Sequence, residues 1–417
     1  MIVIKIPNNN INERSYIIGV LFNEFLGVEY DLKIGSNDYE IEFSNSNTLI
    51  ITDSFFNKYP QPLEYLNVEC IPNNLEELDI FAACFFMLSR WEEFVVKKRD
   101  RHNRFPASES LAFKQGFLDR PVVNEYLEKL KGMLIEKDSH LVFKKHEYEL
   151  LLTHDVDVPF KYYSIIGSFR SLLGDLVSRK SFNLFFKNIS IFVKSLLNYE
   201  QDPFFTFDYI LSLNKKHNIR SCFFFMSGGL TDKDNFYKIM SYKLSKLIDK
   251  IKNKKHFIGF HPSYSSYNDP HQFKVEKFAL ESSIHQKVRF GRQHYLNFSI
   301  PETLQIWEDE EMSCDSSLGY AEMPGFRCGV CYEFSTFNIL TRQKMLLKEK
   351  PLIVMECTIF DNKYLNLDYD QSYKKIKYYI DIVRMYKGSF VLLWHNDRLE
   401  DQEQKKLYEQ VIGYACR

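Results

Sequence analysis

The chain has 417 residues, 45% of them hydrophobic and 26% charged, and a formal net charge of -1 at pH 7. This length is too great for one small core and allows more than one domain. The nearly neutral charge argues against a nucleic acid or an anionic membrane as partner, because neither would gain from electrostatic attraction. The longest uncharged apolar stretch, Ile80 to Ser89, is about half of a membrane span, and the N-terminus has no secretory apolar run. We therefore expect a cytoplasmic protein without a membrane span.

The first part of the chain is typical of a small α+β domain. It contains two strand candidates and two helix candidates, at Ile2–Ile6, Thr48–Thr52, Leu78–Phe94 and Val122–Leu134. The polar run from Lys137 to Glu147 suits a domain boundary. We therefore place an N-terminal domain of unknown role at residues 1–145 and a second domain at residues 146–417.

From about residue 148, strand and helix candidates alternate. The strand candidates are Leu150–Thr153, Ser221–Met226, His256–Phe260, Val288–Arg292, Met312–Ser316, Leu352–Cys357 and Phe390–Trp394. The helix candidates include Phe204–His217, Phe236–Lys252, His271–Gln286 and Ser372–Tyr386. This alternation predicts a parallel sheet closed into a distorted (β/α)7-type barrel. The amphipathic stretch 162–199 predicts an inserted pair of helices.

The first strand of this barrel ends on two carboxylates. Residues 149–157 read Glu-Leu-Leu-Leu-Thr-His-Asp-Val-Asp, and residues two apart on a strand share a face. Asp155 and Asp157 should therefore project together, while His154 faces the opposite way. Two like charges at close range raise one pKa unless a cation lies between them. The pair predicts either a metal site or a carboxylate that acts as a base.

Later strand candidates also end in ionisable residues, namely His261, Arg292 with His294, Asp315, and His395. Active sites of β/α barrels are built at the carboxyl ends of the strands. Each such residue alone would more often be structural, but together they predict a site. Glu356 lies near the end of the sixth strand candidate, without specific support for a role.

The order and the amino-acid sequences of these segments resemble those of the polysaccharide deacetylase family, the family 4 carbohydrate esterases, over about residues 148–400. Thr-His-Asp-Val-Asp at 153–157 resembles the family's first motif, usually Thr-Phe-Asp-Asp. The resemblance implies that Asp155 is the catalytic base and Asp157 a metal ligand, although Val156 shifts the spacing. Gly-Phe-His-Pro-Ser-Tyr-Ser at 259–265 resembles the second motif, which supplies two histidines four residues apart. His261 matches the first of them, and Ser265 stands in place of the second.

Three further segments fit the same family. Arg292-Gln-His294-Tyr lies where the family has Arg-x-x-Tyr, and Asp315 with Gly-Phe-Arg327 lies where the fourth motif's groups fall. Leu-Trp-His395-Asn matches the final Leu-x-His motif, whose histidine is the general acid. The string Phe-Phe-Met-Leu-Ser-Arg-Trp-Glu-Glu at 85–93 is similar to an uncharacterised leading domain of deacetylase-like proteins from bacterial surface-polysaccharide gene neighbourhoods.

The resemblance implies a divalent metal, zinc in the first place, with cobalt or nickel as alternatives. Catalytic zinc usually has three protein ligands, so the serine at 265 leaves one ligand missing. His294 is the substitute that we expect; otherwise metal binding is weak or the domain is a degenerate relative. Arg292 or Arg327 could keep Asp155 ionised, and Asp315 could orient an arginine or tune His395.

We therefore expect a hydrolase that removes acetyl groups from N-acetylated or O-acetylated sugars or polysaccharide precursors. The expected metal ligands are Asp157, His261 and His294, and the expected catalytic residues are Asp155, His395, Arg292, Asp315 and Arg327. Two alternatives stay open. One is a carbohydrate-binding protein that has lost turnover, and the other is a metal-dependent hydrolase of non-peptide C–N bonds in a small molecule.

Overall fold

The computed structural model describes residues 2–163, 182–234 and 237–417. The chain forms two compact units. The first unit contains Met1–Glu149, Tyr295–Val354 and Tyr378–Val391, and the second contains Leu150–His294, Met355–Lys377 and Leu392–Arg417. The expected boundary at residue 145 is close to the first of these limits. The first unit, however, also includes two later segments that we had expected in the barrel, because packing between distant segments leaves no local pattern.

The N-terminal part of the first unit contains a four-stranded sheet in the order β2-β1-β3-β4. Its strands are β1 (Ile2–Ile6), β2 (Tyr30–Ile34), β3 (Tyr39–Glu42) and β4 (Thr48–Ile51). β1 pairs parallel with β2 and antiparallel with β3. Alternate side chains of β1 are buried, as the strand pattern predicts.

Five helices accompany this sheet, α1 (Ile11–Ile18), α2 (Ile80–Ser89), α3 (Trp91–Val95), α4 (Leu111–Lys114) and α5 (Val122–Lys137), and a π-helix (Gly19–Leu26) follows α1. Every side chain of α2 is buried, which accounts for its apolar sequence. The single helix predicted for Leu78–Phe94 is divided at Arg90, whose φ of 54° is left-handed. Arg90 is held there because its guanidinium donates to Glu93 Oε1 at 2.9 Å.

The second unit is built on parallel strands. These are β5 (Glu149–Val156), β6 (Cys222–Phe225), β7 (Phe257–Phe260) and β8 (Phe290–Gly291), and each pairs parallel with the next. The helices of this part are α6 (Phe182–Leu197), α7 (Phe207–Lys216), α8 (Tyr242–Asn253) and α9 (Pro270–Ile284). Of the predicted insertion 162–199, residues 164–181 lie outside the described residues, as does the start of the helix predicted from Phe236.

The strands must approach each other closely where β8 meets β7. A Cβ atom on Gly291 would lie 2.1 Å from the carbonyl oxygen of Phe260, so only glycine fits there. This close contact fixes the position of β8 relative to β7. It therefore also fixes the positions of the residues that directly follow these strands, His261 and Arg292.

The next segments return to the first unit. They are α10 (Glu302–Asp309), β9 (Cys314–Asp315), β10 (Phe334–Asn338) and β11 (Gln343–Glu349). β11 pairs antiparallel with β10 and parallel with β9. The hairpin of β10 and β11 was not predicted from the sequence.

The last segments are β12 (Val354–Met355), α11 (Glu356–Phe360), α12 (Tyr369–Met385), β13 (Ser389–Leu393) and α13 (Gln402–Ala415). Where we had expected a strand over Leu352–Cys357, a two-residue strand is followed at once by a helix. The strand order β8-β7-β6-β5-β13-β12 is open among the described residues, so the predicted closed barrel is not confirmed. The mixed α/β class with a parallel sheet is confirmed.

In the described ranges, no helix combines the length and apolar character needed to cross a bilayer.

Candidate functional site

The carboxyl ends of β5, β7 and β8 bring ionisable side chains of the second unit together. Asp155 is the next-to-last residue of β5, and Asp157 is the first residue after this strand. His261 directly follows β7, and Arg292 directly follows β8. Carboxyl ends of parallel strands meet at one edge of a sheet, so short local patterns suffice to gather these groups.

Asp155 is paired with Arg292. The Arg292 Nη1 donates to Asp155 Oδ1 at 2.9 Å and to Thr153 Oγ1 at 2.8 Å. Both charged side chains are almost completely buried, so each serves as the other's counter-charge. Of the two arginines considered from the sequence, Arg292 is therefore the one that contacts Asp155.

Three atoms of metal-ligand type converge beside this pair. The His261 Nε2 lies 3.2 Å from Asp157 Oδ1, and the His294 Nδ1 lies 3.6 Å from the same oxygen. The two ring nitrogens are 3.1 Å apart. His294, expected to replace the histidine missing at Ser265, thus faces both other candidate ligands.

The outer nitrogens of these histidines contact backbone carbonyls. The His261 Nδ1 lies 2.5 Å from Arg292 O, and the His294 Nε2 lies 2.9 Å from Lys233 O. A carbonyl accepts but cannot donate, so each outer nitrogen carries a proton, and each inner nitrogen is the one that can offer a lone pair to a metal. This is how histidine ligands are usually oriented around a metal.

The arrangement fits a divalent metal. Nitrogen and oxygen ligands of a tetrahedral zinc ion lie about 3.3 Å from one another, and the three distances here are 3.1, 3.2 and 3.6 Å. Asp157 Oδ1 is buried and accepts no well-formed hydrogen bond from the described residues. Burial lowers the pKa of His261, but the negative charges of Asp155 and Asp157 outweigh burial and raise that pKa. Burial, together with the neighbouring His261, lowers the pKa of His294, so it is the donor atoms and their distances that suit a metal.

His395 approaches the group from the segment after β13. Its Nε2 lies 3.6 Å from Asp157 Oδ2, and its Nδ1 lies 2.6 Å from Glu356 Oε1. Burial lowers the pKa of His395, but the Glu356 carboxylate outweighs it and raises that pKa well above its usual range. Glu356 is itself fully buried. It is the residue that sequence reasoning left without a role; its only signal was its position at the end of a predicted strand.

Asp315 and Arg327 belong to the first unit and have other partners. The Arg327 Nε donates to Glu93 Oε1 at 2.9 Å, and its Nη1 donates to Gly319 O at 2.8 Å. Asp315 accepts from Ser317 Oγ at 2.6 Å and lies opposite Glu349 in the β9–β11 pairing. Burial raises the pKa values of Asp315 and Glu349. These contacts pair Asp315 and Arg327 within the first unit, and the catalytic roles expected for them stay predictions.

His154 faces away from the two aspartates. Its Nδ1 lies 2.7 Å from Trp394 O, and its ring stacks on Phe223. Burial lowers the pKa of His154 to about 4, so the ring is a neutral packing group.

Comparison of the sequence with known protein families assigns no function to the first unit. A model described as a family of unknown function (DUF7033) matches residues 2–139. No curated protein matches the chain.

Solved structures resemble the chain over about two thirds of its length. A protein from Mycobacterium smegmatis described as a candidate polysaccharide deacetylase has 13% identity and a TM-score of 0.44, covering 66% of this chain and 85% of that one. The Puue allantoinase has 12% identity and a TM-score of 0.41, covering 65% and 84%. A CE4 family pseudoenzyme from Bacillus anthracis has 15% identity and a TM-score of 0.29, covering 63% and 62%. At such identities and TM-scores, these likenesses bear on neither activity, substrate nor metal.

Proposed function

We propose that the second unit is a metal-dependent hydrolase that removes acetyl groups from N-acetylated or O-acetylated sugars or polysaccharide precursors. One observation carries the proposal. The convergent atoms of Asp157, His261 and His294 lie between an arginine-paired carboxylate, Asp155, and a carboxylate-paired imidazole, His395. Amide or ester hydrolysis needs a ligand set, a base and an acid in this arrangement.

Asp157, His261 and His294 would hold the metal. A divalent ion bound there would polarise the substrate carbonyl and lower the pKa of a water molecule. The chain orients both histidines through Arg292 O and Lys233 O, so their inner nitrogens already point towards the place of the ion before it binds.

Asp155 is the base in this proposal. Its Oδ1 is occupied by Arg292, whereas its Oδ2 lies 3.7 Å from His261 Nε2, on the side of the convergent atoms. Oδ2 is therefore the oxygen that would take a proton from the attacking water. Arg292 holds the other oxygen, Oδ1, in place through its 2.9 Å hydrogen bond.

His395 is the acid. Glu356 accepts from Nδ1 and favours the doubly protonated ring, so that Nε2 carries a proton on the side facing Asp157. That proton would go to the leaving nitrogen of an amide or the leaving oxygen of an ester.

The acetylated-sugar substrate rests on the motifs at 153–157, 259–265 and 393–396 and on this division of roles. The same groups could hydrolyse a C–N bond in a small molecule, and a protein without turnover could also keep them. A substrate comparison separates these three functions.

The test measures acetate release from N-acetylated chitooligosaccharides and O-acetylated xylooligosaccharides. Protein stripped with a chelator should be inactive and should regain activity with zinc, cobalt or nickel. Asp155→Asn should abolish release while still binding metal. Asp249→Asn, an exposed aspartate on α8, is the matched control and should leave release unchanged.

Faster hydrolysis of a ureide such as allantoin than of either acetylated sugar would assign the small-molecule function instead. Sugar binding without acetate release from fully metal-loaded protein would assign the binding function.

A further inference from the structure

A second group of ligand atoms lies on the far side of the His395 ring. The Cys357 Sγ is 3.3 Å from Glu356 Oε1 and 3.7 Å from His395 Nδ1. Glu356 Oε1 and His395 Nδ1 are 2.6 Å apart. Thiolate, imidazole and carboxylate together form a ligand set that suits zinc and cobalt.

The distances are close to those of a tetrahedral site. With metal–sulfur bonds of about 2.3 Å and metal–nitrogen bonds of about 2.0 Å, sulfur lies about 3.5 Å from the other ligands. Both sulfur distances fall within about 0.2 Å of that value. Only the distance between Glu356 and His395 is too short, because a proton lies between them; it must widen by about 0.7 Å when an ion replaces the proton.

Two neighbouring features affect the binding of a cation here. Glu356 Oε2 is buried and has no hydrogen-bond donor among the described residues, so one carboxylate oxygen is available as a ligand. The Arg398 Nη2 donates to Cys357 Sγ at 3.3 Å and to Asp361 Oδ2 at 3.0 Å. Burial and the Glu356 carboxylate raise the pKa of the Cys357 thiol to about 11, and His395 and Arg398 oppose that rise. The thiol therefore has to lose its proton to a metal that competes for the sulfur.

We propose that Glu356, Cys357 and His395 form a second site for a thiophilic divalent metal, and that its occupation inhibits turnover. Binding releases two protons to solvent, one from the Cys357 thiol and one from His395 Nδ1. The ion then takes the place of the proton through which Glu356 holds His395. The metal-binding part stands on its own; the inhibition rests on the proposed role of His395 as acid.

Cobalt reports on the site without any activity. Protein with one equivalent of cobalt should lack a thiolate-to-cobalt charge-transfer band, because Asp157, His261 and His294 contain no sulfur. Further cobalt should produce that band in the near ultraviolet. Cys357→Ser should lose it, and Cys416→Ser, at an exposed cysteine, should retain it. A band that is absent from the unaltered protein, or that persists in Cys357→Ser, overturns the site.

Zinc tests the inhibition. Acetate release should fall at least tenfold as zinc rises beyond one equivalent, and Cys357→Ser should need at least tenfold more zinc for the same loss. Cys357→Ala replaces the serine variant if that variant does not fold. In the unaltered protein, X-ray absorption spectroscopy tests directly whether sulfur is a ligand of the second zinc ion. Equal inhibition of the unaltered and variant proteins overturns the proposal. Absence of acetate release from every sample contradicts the proposed function, whereas the cobalt band still decides the second site.

Discussion

The His294 Nδ1 faces the His261 Nε2 at 3.1 Å, although the two residues follow different strands. The sequence resemblance implied that both histidines come from one segment, and here Ser265 occupies the second position. A ligand from β8 can substitute for one from β7 because the carboxyl ends of neighbouring parallel strands meet at one edge. The missing histidine therefore does not by itself make the site incomplete.

If His294 is the third ligand, its removal should weaken metal binding most clearly. His294→Ala should lower zinc affinity by at least 100-fold, because two protein ligands rarely hold catalytic zinc. Competition with a chromophoric chelator measures this. His271→Ala, at an exposed position of α9, should bind zinc normally; an unchanged affinity in His294→Ala would remove this residue from the site.

Asp234 should position the third ligand from a distance. Its Oδ2 accepts from the backbone and hydroxyl of Thr231, and its Oδ1 accepts from Tyr264 N at 2.7 Å. This carboxylate connects the loops after β6 and β7, and the neighbouring Lys233 O orients His294. Asp234→Asn cannot accept at both ends, so zinc affinity should fall about tenfold or more.

Asp232→Asn is the control, since that side chain is 82% exposed. Zinc competition and the unfolding midpoint of the metal-free protein should be measured together. If Asp234→Asn lowers the midpoint but binds zinc as before, the residue serves stability and not ligand orientation.

The pH dependence of turnover should report the contact between Glu356 and His395. Because the carboxylate raises the pKa of His395, the acid stays protonated to unusually high pH, and activity falls only as pH rises through that raised value. Glu356→Gln removes the charge and should move this alkaline limb of kcat/KM to lower pH by about one unit or more. Glu403→Gln, at an exposed site of α13, should keep the original profile, and an unmoved limb in Glu356→Gln would argue against His395 as acid.

Glu93 should stabilise the first unit through two buried arginines. It accepts from Arg327 Nε and Arg90 Nε, both at 2.9 Å. Glu93→Gln leaves buried Arg327 without its carboxylate partner and leaves Arg90 with only the more distant Glu92, at 3.8 Å, and should cost about 3 kcal/mol or more in urea unfolding. The exposed pair of Arg120 and Glu125 is the comparison, and Glu125→Gln should cost less than about 1 kcal/mol.

The same residue should contribute to acid unfolding. Burial opposes ionisation, but Arg327 and Arg90 lower the pKa of Glu93 to about 2, below the value of about 4.3 that an unfolded glutamate has. The stabilisation is therefore complete above the unfolded pKa and is lost as pH falls towards the folded pKa. The difference in unfolding free energy between the original protein and Glu93→Gln should shrink over that interval, and a constant difference would contradict the assignment.

Parts of this protein follow from local sequence. The apolar runs that end on Asp155, His261 and Arg292 predicted parallel strands with polar residues at one edge, since strand periodicity and burial are encoded over a few neighbouring residues. The helices α7, α9 and α12 were predicted to within about three residues for the same reason, whereas α8 begins at Tyr242 and not at the predicted Phe236. The side chains that meet beside Asp157 were therefore identified before their distances were known.

The tertiary structure alone decided which partner each buried charge has. Glu356 contacts His395, Arg327 contacts Glu93, and Arg292 contacts Asp155. It also decided that residues 295–354 join the first unit and that Lys233 O orients His294. A buried charge or ring nitrogen takes its partner from whichever segment packs against it. That choice depends on contacts between residues far apart in the chain, for which one sequence carries no periodic signal.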